Sequence, residues 1–442
     1  MANLVDIYKK ASLVMKPAAM KEGKLYSQQP HSGAGDFTFS RANGVQTRIN
    51  EHGLIETVAD NTPRLSYDLD ADGNVSECPT LLLEPSRTNV QIRSEEFENI
   101  AWGKTSITVS DNNVTSPKGG LNASKLAENT SGTNAYFIDD LYSQSSGTYT
   151  FSCFLKKGTL RYAGIRALTN NFGDRHFVLL DLEDGSVAST NTLGSGVTWQ
   201  YNVKDYGSGW YRLAITGSHT SGNVGILISG SNVSNPTYGG AIPNYNANGS
   251  GNFYAWGAQV EAGSYPTSYI PTEGSAEVRN QDECGVYNAE SLIGQTSGTL
   301  FVDFEYLYET TSDSSTDGNR DIFTVGSTVD LSESITFDNY RASFRVYVQG
   351  SAMSIASLGL GEGTAIPNTR YKLAIRYDSG NLKAVLNGIE IGSSSNTVKF
   401  ASPLDGILFS FGDGTFDNEK KVNEVSLFKG GVTDSELITL TT

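Results

Sequence analysis

Leu382-Lys383-Ala384-Val385-Leu386-Asn387-Gly388-Ile389-Glu390-Ile391 holds two alternating apolar runs joined by an Asn-Gly pair. Alternation with a period of two puts one face of each run inward, and Asn-Gly accepts the positive φ angles of a tight type I′ turn, so the stretch predicts a β-hairpin. The same pattern extends outward, from Thr299-Leu300-Phe301-Val302-Asp303-Phe304 to Val422-Asn423-Glu424-Val425-Ser426-Leu427-Phe428. A terminal helix follows, with Thr433 and Glu436 spaced as a capping box. Residues 298–442 are therefore read as one β-sandwich, stable by itself. Upstream, Gly147–Leu155, His176–Leu182, Trp210–Ile215, Val224–Ile228 and Asn252–Glu261 are strands at sandwich spacing and set a second sandwich over residues 94–275. Residues 276–297 read as a linker.

The chain is 442 residues long, more than one compact core accommodates. Gly (47), Tyr (22) and Phe (19) are abundant while Met (4) is rare, the composition of short strands separated by turns. The fold class is all-β: an N-terminal attachment and connector segment, residues 1–93, followed by two sandwiches. In that first segment Leu4, Val5, Ile7, Tyr8, Ala11 and Leu13 line one side of a short helix that Pro17 and Gly23 end. Asp36–Ser40 is a strand, Gln46–Val58 a hairpin around Glu51-His52-Gly53, and Arg64–Asp68 and Leu81–Pro85 two further strands. The segment has too few apolar residues for a core of its own, so it is expected to order against a partner.

The formal charge of −16 and the absence of a basic run argue against nucleic acid and against insertion at anionic membranes. Cys78, Cys153 and Cys284 are three scattered thiols, not a disulfide framework. Lysines interrupt the first apolar residues, so no export signal is read and synthesis is expected in a reducing cytoplasm. The four histidines, His31, His52, His176 and His219, lack metal spacing. No Gly-x-Ser-x-Gly elbow or phosphate loop is present. Asp68-Leu69-Asp70-Ala71-Asp72-Gly73 begins like a calcium loop, but its twelfth position is Pro79 where a Glu is required, so it reads as a turn, like Asp313–Gly318. No catalytic residue, metal ligand or cofactor is expected.

Aromatic rings offer the remaining chemistry, since sugars stack their apolar faces on Trp and Tyr. Trp210 and Trp256 lie within strands and read as core. Tyr238 and Tyr245, in the Gly-, Asn- and Pro-rich stretch Asn235–Gly251, together with Trp199, are the candidate carbohydrate-binding residues. A subunit contact or plain surface tyrosines are the alternative.

Three stretches resemble known families. Leu81-Leu82-Leu83-Glu84-Pro85-Ser86-Arg87-Thr88-Asn89, with Ser94-Glu95-Glu96-Phe97, Ala101-Trp102, Asp36–Ala42 and Asn50–Glu56, is similar to the connector of tailed-phage head-fibre, head-spike and tail-fibre proteins. Tyr206-Gly207-Ser208-Gly209-Trp210-Tyr211-Arg212-Leu213, with Trp256–Gly263 and Pro266–Thr272, resembles the carbohydrate-binding-module-like jelly roll that follows that connector. Tyr371–Tyr377, Leu382–Gly388 and Asn423–Phe428 resemble a concanavalin- or laminin-G-like sandwich. The resemblance implies a non-enzymatic virion appendage. It would attach to other virion proteins through its N-terminal region, assemble as a homo-oligomer with a trimer favoured, and serve host-surface glycan adhesion or capsid decoration. A carbohydrate-active enzyme with binding modules and a purely structural collar or tail spacer are the alternatives.

Overall fold

In the computed structural model, residues 3–42, 44–70, 73–307, 320–330, 332–339, 344–350, 356–359, 366, 368–409 and 419–442 are described. The chain builds two antiparallel β-sandwiches. No helix among these residues is long and apolar enough to cross a membrane.

The middle sandwich pairs two six-stranded sheets. One runs, in spatial order, Gly103–Thr105, Phe137–Ser143, Asn223–Ser231, Tyr162–Thr169, Asp174–Asp181 and Val187–Leu193. The other runs Ile107–Thr115, Leu121–Glu128, Asn252–Ala262, Gly147–Lys157, Trp210–His219 and Gln200–Asp205. Alternate residues meet between them: Phe151, Cys153 and Leu155 from one sheet pack on Ile165, Val178 and Ile226 from the other. Strands 147–157 and 252–262 are buried on both faces, because Phe154, Trp210 and Trp256 on the back of this sheet form a second cluster with Ile55 and Tyr269. Trp210 and Trp256 are core, as their strand positions predict.

The second sandwich is assembled from both ends of the chain. One sheet has the order Ile389–Ser394, Leu382–Leu386, Thr369–Asp378, Ser297–Tyr306, Lys420–Phe428, Thr80–Leu83 and Arg64–Ser66, with Leu13–Met15 also on Lys420–Phe428. Its registers include Leu13 opposite Leu427 and Leu81 opposite Val422. In the facing sheet, Phe37–Ser40 pairs with Glu283–Val286, which in turn pairs with Gly406–Leu408. Leu13, Leu25, Phe37, Leu81 and Leu83 share one core with Val302, Phe323, Leu373 and Val425.

Two boundaries are thereby corrected. Residues 1–93 lack a core of their own, as composition shows, and within the chain they pack into the second sandwich. The unit 298–442 is accordingly not self-contained. Residues 276–297 are not a linker either: Glu277–Arg279 pairs with Arg87–Asn89, and Glu283–Val286 lies inside the second sandwich. Their short strands escape a search for alternation because each is only three or four residues long.

Local expectations fare well. The hairpin 46–58 closes with Ile49 opposite Ile55. Asn387 and Gly388 have φ of 47° and 78°, both positive as a type I′ turn demands, and Leu386 faces Ile389. Thr433 and Glu436 form the capping box of helix Asp434–Thr441. The N-terminal helix is shorter than expected: Leu4–Tyr8 only, with Asn3 as its cap and Ile7 packed against Leu437 and Leu440. The predicted turn at 313–318, like Ala71 and Asp72, lies outside the described residues.

Candidate functional site

Where the chain crosses between sandwiches, the connector motif forms a buried polar joint. Glu84 and Asp282 are both sealed from solvent. Arg64 bridges them with one guanidinium, Arg41 holds Asp282 at 2.7 Å, and Arg279 reaches Glu84 at 3.2 Å. The Ser268 backbone N–H donates to Glu84 at 2.7 Å, and the Pro85 carbonyl accepts from Arg279 at 2.7 Å. Burial alone would push the Glu84 carboxyl up; Arg279 and Arg64, with Ser268, outweigh it and hold the group well below the usual carboxylate range. Asn89 is equally determined. Its amide donates to the carbonyls of Ile270 (2.8 Å) and Ala258 (3.3 Å), and its oxygen accepts from the N–H groups of Val260 and Gln91. The Leu81–Asn89 and Pro266–Thr272 motifs thus clasp each other, 180 residues apart in sequence, and fix the two sandwiches in one orientation.

Beside this joint a cleft of about 490 Å³ opens between the sandwiches. Three parts of the chain wall it: Arg48, Tyr67 and Asp68 from the N-terminal strands; Asn202, Lys204 and Tyr206 from the middle sandwich; Glu305, Glu419 and Lys421 from the second sandwich. Elsewhere the N-terminal segment and the middle sandwich come together at Gly73 and Gly207. Both have φ near 75°, and a Cβ on Gly73 would lie 2.6 Å from the Gly207 Cα, so only glycine permits this approach. The volume falls within the roughly 300–1,000 Å³ of small-molecule sites.

Most of the charge in the cleft is already matched. Lys421 pairs with Asp68 and stands 3.4 Å from Glu305. Burial works against its charge, but the two carboxylates outweigh burial and raise its pKa. Arg48 binds Glu56 at 2.6 Å through Nε, and Arg212 donates to the Thr267 carbonyl at 2.6 Å. Lys204 lies over the Tyr206 ring, 5.5 Å from its centroid. Glu419 differs. It is 8% exposed, and its Oε2 has no hydrogen-bond partner among the described residues. Burial, then the nearby Glu84 carboxylate, push its pKa well above its ordinary value.

None of the three aromatic residues singled out from sequence lines this cleft, nor do they lie together. Tyr238 and Tyr245 are not on an open loop tip. Strands Thr237–Tyr238 and Pro243–Asn248 form a strap with Ser131–Ala135, and its Tyr238, Ala241 and Ile242 cover Phe177, Leu179 and Leu227 on the outer face of a sheet. Tyr238 shares a 2.7 Å hydrogen bond with Ser189. Tyr245 is 4% exposed, donates to Glu128 at 2.8 Å and packs on Tyr136, so it offers no free face for stacking. Trp199 is half-buried at a sheet edge, stacked on His176 at 5.8 Å with an interplanar angle of 13°. Tyr206 was within reach of sequence reading, since it opens the Tyr206–Leu213 motif. Glu419 was not: its burial arises from elements hundreds of residues away.

No protein-family model and no curated protein matches the chain. Among solved structures, it is similar to domain 4 of AbnA, a GH43 extracellular arabinanase from Geobacillus stearothermophilus in complex with arabinotriose: 15% identity, TM-score 0.28, over 37% of this chain and 73% of that one. It is also similar to the binding domain of Paraclostridial Mosquitocidal Protein 1 (11%, TM-score 0.31, 38% and 43%). The botulinum neurotoxin serotype G binding domain is a third (10%, TM-score 0.30, 38% and 43%). The chain spans about two fifths of the length of these two toxin binding domains.

Proposed function

We propose that this chain is a non-enzymatic appendage protein of a tailed-phage virion, a head fibre, head spike or tail fibre, which holds two β-sandwiches in fixed relation and receives a host-surface glycan between them. The observation that carries this reading is the buried joint. The residues that resemble the phage connector, Leu81–Asn89, interlock with those that resemble the following jelly roll, Pro266–Thr272, through Glu84, Arg279 and Asn89. A rigid joint between display modules suits a part that must transmit position rather than move. The N-terminal helix, which leaves Leu4 and Val5 exposed, supports attachment to other virion proteins by this end. A homotrimer is the assembly proposed.

A second reading, a carbohydrate-active enzyme, draws on one observation: Glu305 and Glu419 share a cleft, as the two carboxyl groups of a glycosidase do. Binding is preferred because Lys421 engages Glu305 and Glu419 sits at the buried floor. Imaging whole virions with a label on the second sandwich tests the first reading, with discrete decoration of head or tail expected and an unlabelled particle refuting it. Release of reducing sugar from host polysaccharide would favour the second. Light scattering that returned a monomer at micromolar concentration would refute the trimer.

A further inference from the structure

We infer that the cleft between the sandwiches takes an uncharged saccharide segment, received by the Glu419 carboxyl at its floor and by the Tyr67 and Tyr206 rings on its walls. The inference rests on the glycan-binding reading above and assigns it a place and a ligand class.

The floor has an unmet hydrogen-bonding group. A buried polar atom left without a partner costs free energy, and native proteins keep few of them without a reason. Glu419 Oε2 is such an atom, on a side chain more than nine-tenths buried that lines an open cavity. A carboxyl oxygen accepts a hydrogen bond whether or not the acid is ionised. The ligand group that satisfies it is a hydrogen-bond donor without charge of its own, which a sugar hydroxyl supplies.

The walls argue against an ionic ligand. Arg48, Arg212 and Lys421 are spent on Glu56, on the Thr267 carbonyl and on Asp68 with Glu305. An anion entering the cleft would find these three cations engaged and the fourth, Lys204, seated over the Tyr206 ring, with Asp68 and Glu305 close by. A cation would have to compete with Lys421. Tyr67 and Tyr206 line the cleft and are half-buried, so each leaves part of its side chain exposed, the Tyr206 ring beneath Lys204, and the apolar face of a sugar packs on such a surface. Asn202, exposed at the mouth, supplies a further amide for hydroxyls.

The test is calorimetric binding to the full-length protein. The probes are neutral glucan, mannan and galactan oligosaccharides beside uronate-containing and sialylated ones. A neutral probe is expected to bind. Glu419→Gln, which keeps an accepting oxygen, should bind within about threefold of the parent. Glu419→Leu and Tyr206→Ala should each weaken binding about tenfold or more. Trp199→Ala, outside the cleft, should change nothing. If Glu419→Leu fails to fold, Tyr206→Ala and Glu419→Gln decide. Binding confined to acidic glycans overturns the ligand class. Binding that Trp199→Ala abolishes and Tyr206→Ala spares overturns the location, and leaves the glycan-binding reading standing. If no glycan of either kind binds, the adhesion reading itself falls and this inference with it.

Discussion

Replacing Glu84 by Ala should loosen both sandwiches at once. The carboxylate is fully buried and answers Arg64, Arg279 and the Ser268 N–H and hydroxyl. Arg64 keeps Asp282 after the substitution, but Arg279 loses the one carboxylate it is ion-paired with among the described residues and retains the Thr267 and Ser268 hydroxyls and the Pro85 carbonyl. Stranding one partner of a buried pair costs about 3–5 kcal/mol, far above the ~0–1 kcal/mol of an exposed pair. At roughly 2 °C per kcal/mol for a large chain, the melting temperature should fall by on the order of 8 °C.

The loss should depend on pH in one direction. Glu84 is held below its unfolded value of 4.5, so its ionised form stabilises the fold above that pH, and the contribution fades as pH falls below it toward the lower folded value. The gap between parent and Glu84→Ala, measured by thermal denaturation at pH 7 and at successive steps below 4.5, should therefore narrow on acidification. A gap of less than about 2 °C at pH 7, or one that widens in acid, would refute the account of the joint.

Three further outcomes follow from the same packing. A fragment of residues 298–442 should show no cooperative melt, because strands 13–15, 37–40 and 80–83 that complete its sheets are missing; a sharp transition in calorimetry would overturn the shared core. Gly388→Val in the full chain should destabilise by about 1 kcal/mol or more, read as a lower denaturant midpoint, since φ is 78° and the added Cβ would meet Thr442 at 2.7 Å. Native protein should react with a thiol reagent at Cys78 alone, because Cys153 and Cys284 are buried and burial pushes both thiols far up; denaturant should release all three, and rapid native labelling at more than one site would contradict the burial.

What sequence showed and what it concealed divide along a physical line. Hairpins and caps are set within a few residues, by the positive φ that Asn387-Gly388 tolerates or by the reach of the Thr433 hydroxyl, and these were legible. Strand pairing across hundreds of residues has no local signature. Nothing within Leu13-Val14-Met15 specifies Leu427 as its partner, and three-residue strands are too short to display a period. Burial of an aromatic ring is hidden for the same reason: Tyr245 lies in a polar, Gly-rich stretch, yet Glu128 and Tyr136 enclose it. Local composition reports what a segment can tolerate, while burial depends on what arrives from elsewhere.

The joint explains why residues so far apart in the chain belong to one signature. Glu84 is useful only where Arg279 and Ser268 meet it, and Arg64 only where Glu84 and Asp282 flank it. An ionised group sealed from water needs all its partners in place, since a partly completed set is worse than an apolar core. Such a set specifies one geometry and penalises its neighbours, and here the geometry is the angle between two sandwiches. That angle also sets the width of the cleft, because Thr267, Ser268 and Tyr269 line its floor while Thr267 and Ser268 hold the joint. A change in the joint is therefore transmitted to the cleft through two residues, which makes the shape of the binding surface a consequence of how the chain crosses between its modules.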